Sequence, residues 1–152
     1  MRRSAPVLFI IITLLLSVVS CVDEASRFTV PYSRVFFRID VNGLDSDLTF
    51  FGHKTFVQGR TVGEQTGYGG LLVFRTAEGS IFAYDLSCPH EDNREVKVQP
   101  ADNGKAVCPK CGSVFVTMYG LGSVESGPSA EPLQRYTVRK DFGREGVFVI
   151  TN

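Results

Sequence analysis

The chain has 152 residues, 43% hydrophobic and 21% charged, with 16 basic and 16 acidic residues and a formal net charge of zero. That length suits one domain, alone or with a short extension, and the hydrophobic fraction argues against wholesale disorder. The balanced charge argues against a nucleic-acid partner, and four Cys are too few for a dense disulfide scaffold but enough for one metal site. In chain order, Met1-Arg2-Arg3 forms a positive head, and Val7 to Val19 is an almost unbroken apolar run of 13 residues. A charged head, a short apolar middle and a small exit residue predict a secretory signal peptide over residues 1–20. The run is shorter than the roughly 20 residues of a membrane-spanning helix. An uncleaved N-terminal anchor helix is the second reading.

Val18-Val19-Ser20-Cys21 resembles a bacterial lipobox, with Val18 where Leu is usual. The resemblance implies that Cys21 is lipidated and that the chain is exported and held on a bacterial membrane through its acyl chains. Asp23-Glu24 directly after this Cys resembles the surface-export signals of Bacteroides-like lipoproteins. Removal of 20 residues from 152 leaves 132, with 14 basic against 16 acidic residues and a net charge of about −2. Residues 21–33 then read as a tether, and residues 34–152 as one domain.

Within that domain the pattern is one of short apolar, β-branched and aromatic runs. Strands are expected at Arg34–Val41, Lys54–Gln58, Leu71–Arg75, Ile81–Leu86, Ser113–Tyr119, Leu133–Lys140 and Gly146–Ile150. Gly59–Gly70 reads as a loop, Thr76–Ser80 as a hairpin turn, and Asp141–Glu145 as the last hairpin loop. No window keeps a helical period. The fold class expected is all-β, an antiparallel sandwich or small barrel. Gly67-Tyr68-Gly69-Gly70 lacks the Lys-Ser/Thr tail of a phosphate loop and reads as a turn, as does Gly120-Leu121-Gly122. His53 is isolated and reads as a loop or surface residue.

One constellation carries chemistry. Cys88-Pro89-His90 is followed, after 17 intervening residues, by Cys108-Pro109-Lys110-Cys111-Gly112-Ser113. Each segment places two soft ligands on a tight turn. Four convergent ligands suit one tetrahedral metal or one two-iron cluster, and three thiolates with an imidazole exclude calcium and magnesium. Setting Cys21 aside leaves three Cys, which cannot pair fully as disulfides. A Cys108–Cys111 disulfide with Cys88 free is the bland alternative. Lys110 beside the ligands reads as a solvated cation or as a docking residue for an acidic partner.

These segments resemble the Rieske iron–sulfur family, whose pattern is Cys-x-His, a variable gap, then Cys-x-x-His. LLVFRTAEGSIFAYDLSCPH is similar to the hairpin leading into the first ligand loop. CPKCGSVFVTMYGLGSVESGPSAEPLQRYTV is similar to the second ligand loop, the Gly turn, the Pro loop at Gly127-Pro128 and the closing strand. The resemblance implies a Rieske-like β-sandwich base with an inserted metal-binding subdomain at about residues 87–127. It implies Cys88, His90, Cys108 and Cys111 as metal ligands, the first and third on the inner iron, the others on the outer. Cys111 departs from the family, which has His there, and zinc also accepts a set of three Cys and one His. Ser113, Phe115 and Pro128 fall where the family contacts its cluster. Ser113 matches a donor to cluster sulfur, whereas Phe115 stands where high-potential members carry Tyr. An extra thiolate and a missing donor imply a low-potential [2Fe-2S] centre. The implied function is that of an electron carrier or small subunit with an unidentified redox partner. A zinc-binding or metal-free interaction lipoprotein is the alternative.

Overall fold

The computed structural model describes residues 29–152. The expected signal peptide, the lipidation residue Cys21 and the tether as far as residue 28 lie outside the described residues. Among the described residues there are eleven strands and one short 3-10 turn, Ser46–Thr49. The strands are β1 (Val35–Asp40), β2 (Gly52–Phe56), β3 (Gln65–Thr66), β4 (Leu71–Arg75), β5 (Ile81–Asp85), β6 (Gln99–Ala101), β7 (Lys105–Val107), β8 (Val114–Val116), β9 (Ser123–Ser126), β10 (Arg135–Lys140) and β11 (Val147–Thr151). The expected all-β class holds. Among the described residues no helix is long and apolar enough to cross a membrane.

Seven strands form the base, in the order β2-β4-β5-β10-β11-β1-β3, all antiparallel. Strand β10 serves both halves. Arg135 and Tyr136 pair with β5, and Thr137 to Lys140 pair with β11, so the two layers join into one nearly closed sheet. The remaining four strands make a second sheet, β6-β7-β8-β9, inserted between β5 and β10. That sheet carries the ligand loops.

Side-chain alternation explains the base. In β1, Val35, Phe37 and Ile39 are buried while Phe36 and Arg38 face out. Strands β4 and β5 are covered on both faces, which is why Leu71–Arg75 reads as an unbroken apolar run rather than an alternation. Leu71, Val73 and Ala83 join Phe37, Ile39 and Ile150 in the interior of the base. Leu72, Tyr84 and Leu86 face the other way and meet Val98, Ala106, Phe115 and Leu133 of the inserted sheet and its flanks. Each of the larger apolar side chains among them contributes roughly 1.5–3 kcal/mol on burial, so this second cluster is what fixes the ligand subdomain to the base.

Polar contacts reinforce both junctions. Asp45, fully buried, receives Arg60 at 2.9 Å and Lys54 at 3.0 Å. The Arg60 guanidinium also lies over the rings of Phe37 and Phe56, at 4.8 and 5.2 Å. On the subdomain side, Tyr84 Oη donates to the Thr117 carbonyl at 2.7 Å. Thr117 Oγ1 donates to the Gly104 carbonyl at 2.7 Å, so its oxygen accepts from His53 Nε2 at 2.8 Å. His53 is therefore a half-buried residue of β2, against the expectation of a loop or surface position, and its ring lies 4.6 Å from that of Phe74. Burial lowers its pKa to about 4. At its start the described chain is held by Glu131, which accepts from Thr29 N at 2.9 Å and from Thr29 Oγ1 at 3.1 Å.

Candidate metal centre

The first ligand loop leaves β5 at Asp85. This carboxylate is fully buried and is surrounded by donors. Oδ1 accepts from Ser87 N at 2.7 Å and Gly69 N at 3.0 Å, and Oδ2 accepts from Tyr68 N at 2.8 Å and Tyr136 Oη at 2.6 Å. Burial, and then the Asp85 charge, push the Tyr136 phenol well above its ordinary range, so it stays a donor. The Gly67–Gly70 segment is thus a clamp on the stem of the ligand loop, not a free turn. A Cβ on Gly69 would stand 2.1 Å from Ser87 Oγ and 3.0 Å from Asp85 Oδ1, so only glycine admits this approach.

Beyond Ser87 the chain turns over Cys88-Pro89-His90. Cys88 N donates to Val96 O, and Glu91 N donates back to Cys88 O. The second loop closes in the same way, with Cys108 N on Ser113 O and Gly112 N on Cys108 O. These turns bring Cys88, Cys108 and Cys111 together, with ligand atoms all within 4.8 Å of one another. Cys88 Sγ and Cys111 Sγ are 3.6 Å apart. All three thiols are free, in contrast to the disulfide alternative. Cys88 and Cys108 are fully buried within the second apolar cluster, whereas Cys111 is partly exposed. His90 is exposed and stands outside the thiol group.

The surroundings set the thiol chemistry. Burial pushes Cys88 up to about 12, with the neighbouring thiols adding to it and the His90 backbone N–H opposing it. For Cys111, burial is outweighed by hydrogen bonds from Ser113, and its pKa falls below the ordinary thiol value. Ser113 Oγ lies 3.1 Å from Cys111 Sγ and accepts from Ser129 N at 3.0 Å. With the Ser129 N–H donating a hydrogen bond to that oxygen, the Ser113 hydroxyl is free to donate to a Cys111 thiolate. Phe115, in β8, is fully buried beside Cys88 and Cys108 and offers no donor. Pro128 is exposed, on a loop that Ser129 fastens to Ser113. The fastening needs glycine at 127, where φ is +99° and a Cβ would meet Ser113 Cα at 2.5 Å.

Several residues here escape a reading of the sequence. Asp85 is signalled only by an acidic residue ending the apolar run IFAYDL. Ser129 carries no signal. Lys110, expected as a solvated or docking cation, pairs with Glu91 at 2.5 Å. That carboxylate holds the ammonium in its charged form, with the Cys108 and Cys111 thiols adding to the effect.

Three converging thiols with an imidazole on the same loop system fit a soft-metal or iron–sulfur centre and not a hard cation. The Rieske [2Fe-2S] domain profile matches residues 45–137. The chain belongs to this family of iron–sulfur electron-transfer domains, and the Rieske domain implies a [2Fe-2S] cluster. A solved chain from Mycobacterium tuberculosis, provisionally named an NADH-dependent nitrite reductase small subunit, aligns with a TM-score of 0.48 at 14% identity, over 79% of this chain and 96% of that one. No curated protein matches the sequence.

Proposed function

We propose that the protein is a membrane-anchored electron carrier, or the small subunit of an oxidoreductase system. Its [2Fe-2S] cluster would be held by Cys88 and Cys108 on the inner iron and by His90 and Cys111 on the outer. The observation that carries this reading is the convergence of Cys88, Cys108 and Cys111 at the junction of two ligand loops in a Rieske domain. The cluster supplies one-electron redox chemistry. Around it, Leu86, Val98 and Phe115 exclude water from the inner thiols, and Ser113 holds the Cys111 sulfur.

Cys111 in place of His adds one negative charge to the ligand set, and Phe115 in place of Tyr withholds a hydrogen bond. Both favour the oxidised state, so the centre belongs to the low-potential side of the family. Anchoring rests on the lipobox-like Val18-Val19-Ser20-Cys21.

Anaerobic purification followed by iron, sulfide and zinc analysis tests the centre. The expected result is a red-brown protein with two irons per chain and an EPR signal on reduction. A colourless protein with stoichiometric zinc would overturn it. The ligand set is tested by His90→Ala and Cys111→Ala, each of which should lose the native EPR spectrum. Acyl labelling that survives Cys21→Ala would refute the anchor.

A further inference from the structure

The two ligand loops meet at one ion pair. Lys110 Nζ lies 2.5 Å from Glu91 Oε2. Glu91 directly follows His90, and Lys110 directly precedes Cys111, so each partner is one residue from a proposed ligand. The exposures are unequal, 61% for the Lys110 side chain and 9% for that of Glu91. A carboxylate covered to that degree needs a countercharge, because an unpaired ion away from water is costly. The neighbouring pairs of Glu95 with Arg94 and Lys97 differ. Both are 3.7 Å apart, Glu95 is 76% exposed, and they lie within one loop, as do surface pairs of little consequence.

The backbone gives the pair its importance. The hydrogen bonds Cys88 N to Val96 O, Glu91 N to Cys88 O and Val96 N to Asn93 O close the first loop on itself. Cys108 N to Ser113 O and Gly112 N to Cys108 O close the second on itself. Among the described residues, the polar links that cross from one loop to the other are the thiol contacts and the Glu91–Lys110 pair.

We propose that Glu91 and Lys110 are positioning residues, a brace that fixes the spacing of the two ligand loops and balances charge at the rim of the metal centre. The proposal rests on the cluster reading for its effect on potential, and on the structure alone for the brace. Hydrogen exchange in the metal-free full-length protein is the first test. Glu91→Gln and Lys110→Gln should each speed exchange several-fold in residues 88–93 and 108–112, leaving β10 and β11 unchanged. Lys110→Arg, which retains the cation, should restore the slow rates. In the iron-loaded protein, Lys110→Gln should lower the midpoint potential, Glu91→Gln should raise it, and the double variant should return near the starting value. Looser loops alone would shift both single variants in one direction, so opposite signs identify the charge pair. Unchanged exchange in both variants, acceleration spread over the whole domain, or potentials that move together would overturn the proposal. Wild-type protein without iron would remove the proposed function, while the exchange comparison would still decide whether the brace exists.

Discussion

Asp85→Asn removes the negative charge from the stem of the first ligand loop while keeping its size. The wild-type carboxylate accepts from Tyr68 N, Gly69 N, Ser87 N and Tyr136 Oη at 2.6–3.0 Å. The amide retains one acceptor oxygen and turns an NH₂ toward the remaining donors. With the amide oxygen kept toward Tyr68 N and the Tyr136 hydroxyl, the Ser87 and Gly69 N–H groups face the NH₂ and both lose the acceptor on that side. A hydrogen bond to a charged group contributes about 1.5–3 kcal/mol, so losing two costs about 3–6 kcal/mol. For a domain of this size that lowers Tm by roughly 10–20 °C. Urea titration and thermal circular dichroism of the metal-free protein at pH 7 measure it. Tyr136→Phe is the graded control, since it removes a single donor to the carboxylate and should cost about 1.5–3 kcal/mol. The Ser87 amide, one residue from Cys88, should exchange faster in Asp85→Asn than in Tyr136→Phe. A loss below about 1 kcal/mol in Asp85→Asn would refute the clamp, because a network of this kind cannot lose its charge at the cost of one ordinary surface contact.

Other substitutions read the site and its seating. Cys111→His removes one negative charge from the ligand set and should raise the midpoint potential by on the order of 100 mV in redox titration; an unchanged or lower potential contradicts the electrostatic account. Gly127→Ala meets both a positive φ and the Ser113 backbone, and should cost roughly 2–4 kcal/mol in denaturant unfolding, with the Ser129 amide losing its protection. The pKa of His53 is held near 4 by burial, against 6.5 when unfolded. The unfolded chain thus takes up that proton first. The stabilisation is whole above about pH 6.5 and is lost as the pH falls toward 4, about 1–2 kcal/mol after solvent screening is allowed for. His53→Gln should flatten this part of the stability profile, and a profile of unchanged slope would show that His53 is not its source.

How much of this was legible in the sequence depended on how local each signal is. The long strands β1, β4, β5, β10 and β11 fall close to their expected ranges, because each carries its own apolar pattern. Strand β3 was hidden in the Gly59–Gly70 loop. Its two residues, Gln65 and Thr66, have no pattern of their own and are extended by pairing with Val35 and Phe36. Strands β6, β7 and β9 carry no local signal for the same reason. Pro100 stands inside β6, β7 has three residues, and Ser123–Ser126 is mostly polar. Only the register of the inserted sheet makes them strands. The convergence of Cys88, Cys108 and Cys111 was visible in the spacing of two short turns. The partnerships of Asp85 with Tyr136, Thr117 with His53 and Ser113 with Ser129 join residues 16 or more apart, and no local pattern announces them.

The clasp of Glu131 on Thr29 gives the domain a mechanical polarity. From Glu131 the contacts run to Ser129, whose hydroxyl donates to the Glu131 carbonyl, then to Ser113 and to the Cys111 sulfur. The chain thus enters the domain on the side of the ligands, while the turn after β1 and the β10–β11 hairpin, with exposed Leu44 and Phe142, form the far end. If Cys21 is anchored as proposed, the eight peptide steps to Thr29 reach at most about 28 Å. A load on such a leash would draw the ligand end toward the surface that holds it. An electron partner resident in that surface would meet the ligand loops at exposed His90 and partly exposed Cys111, whereas one arriving from the opposite side would face the end of the base that carries Leu44 and Phe142.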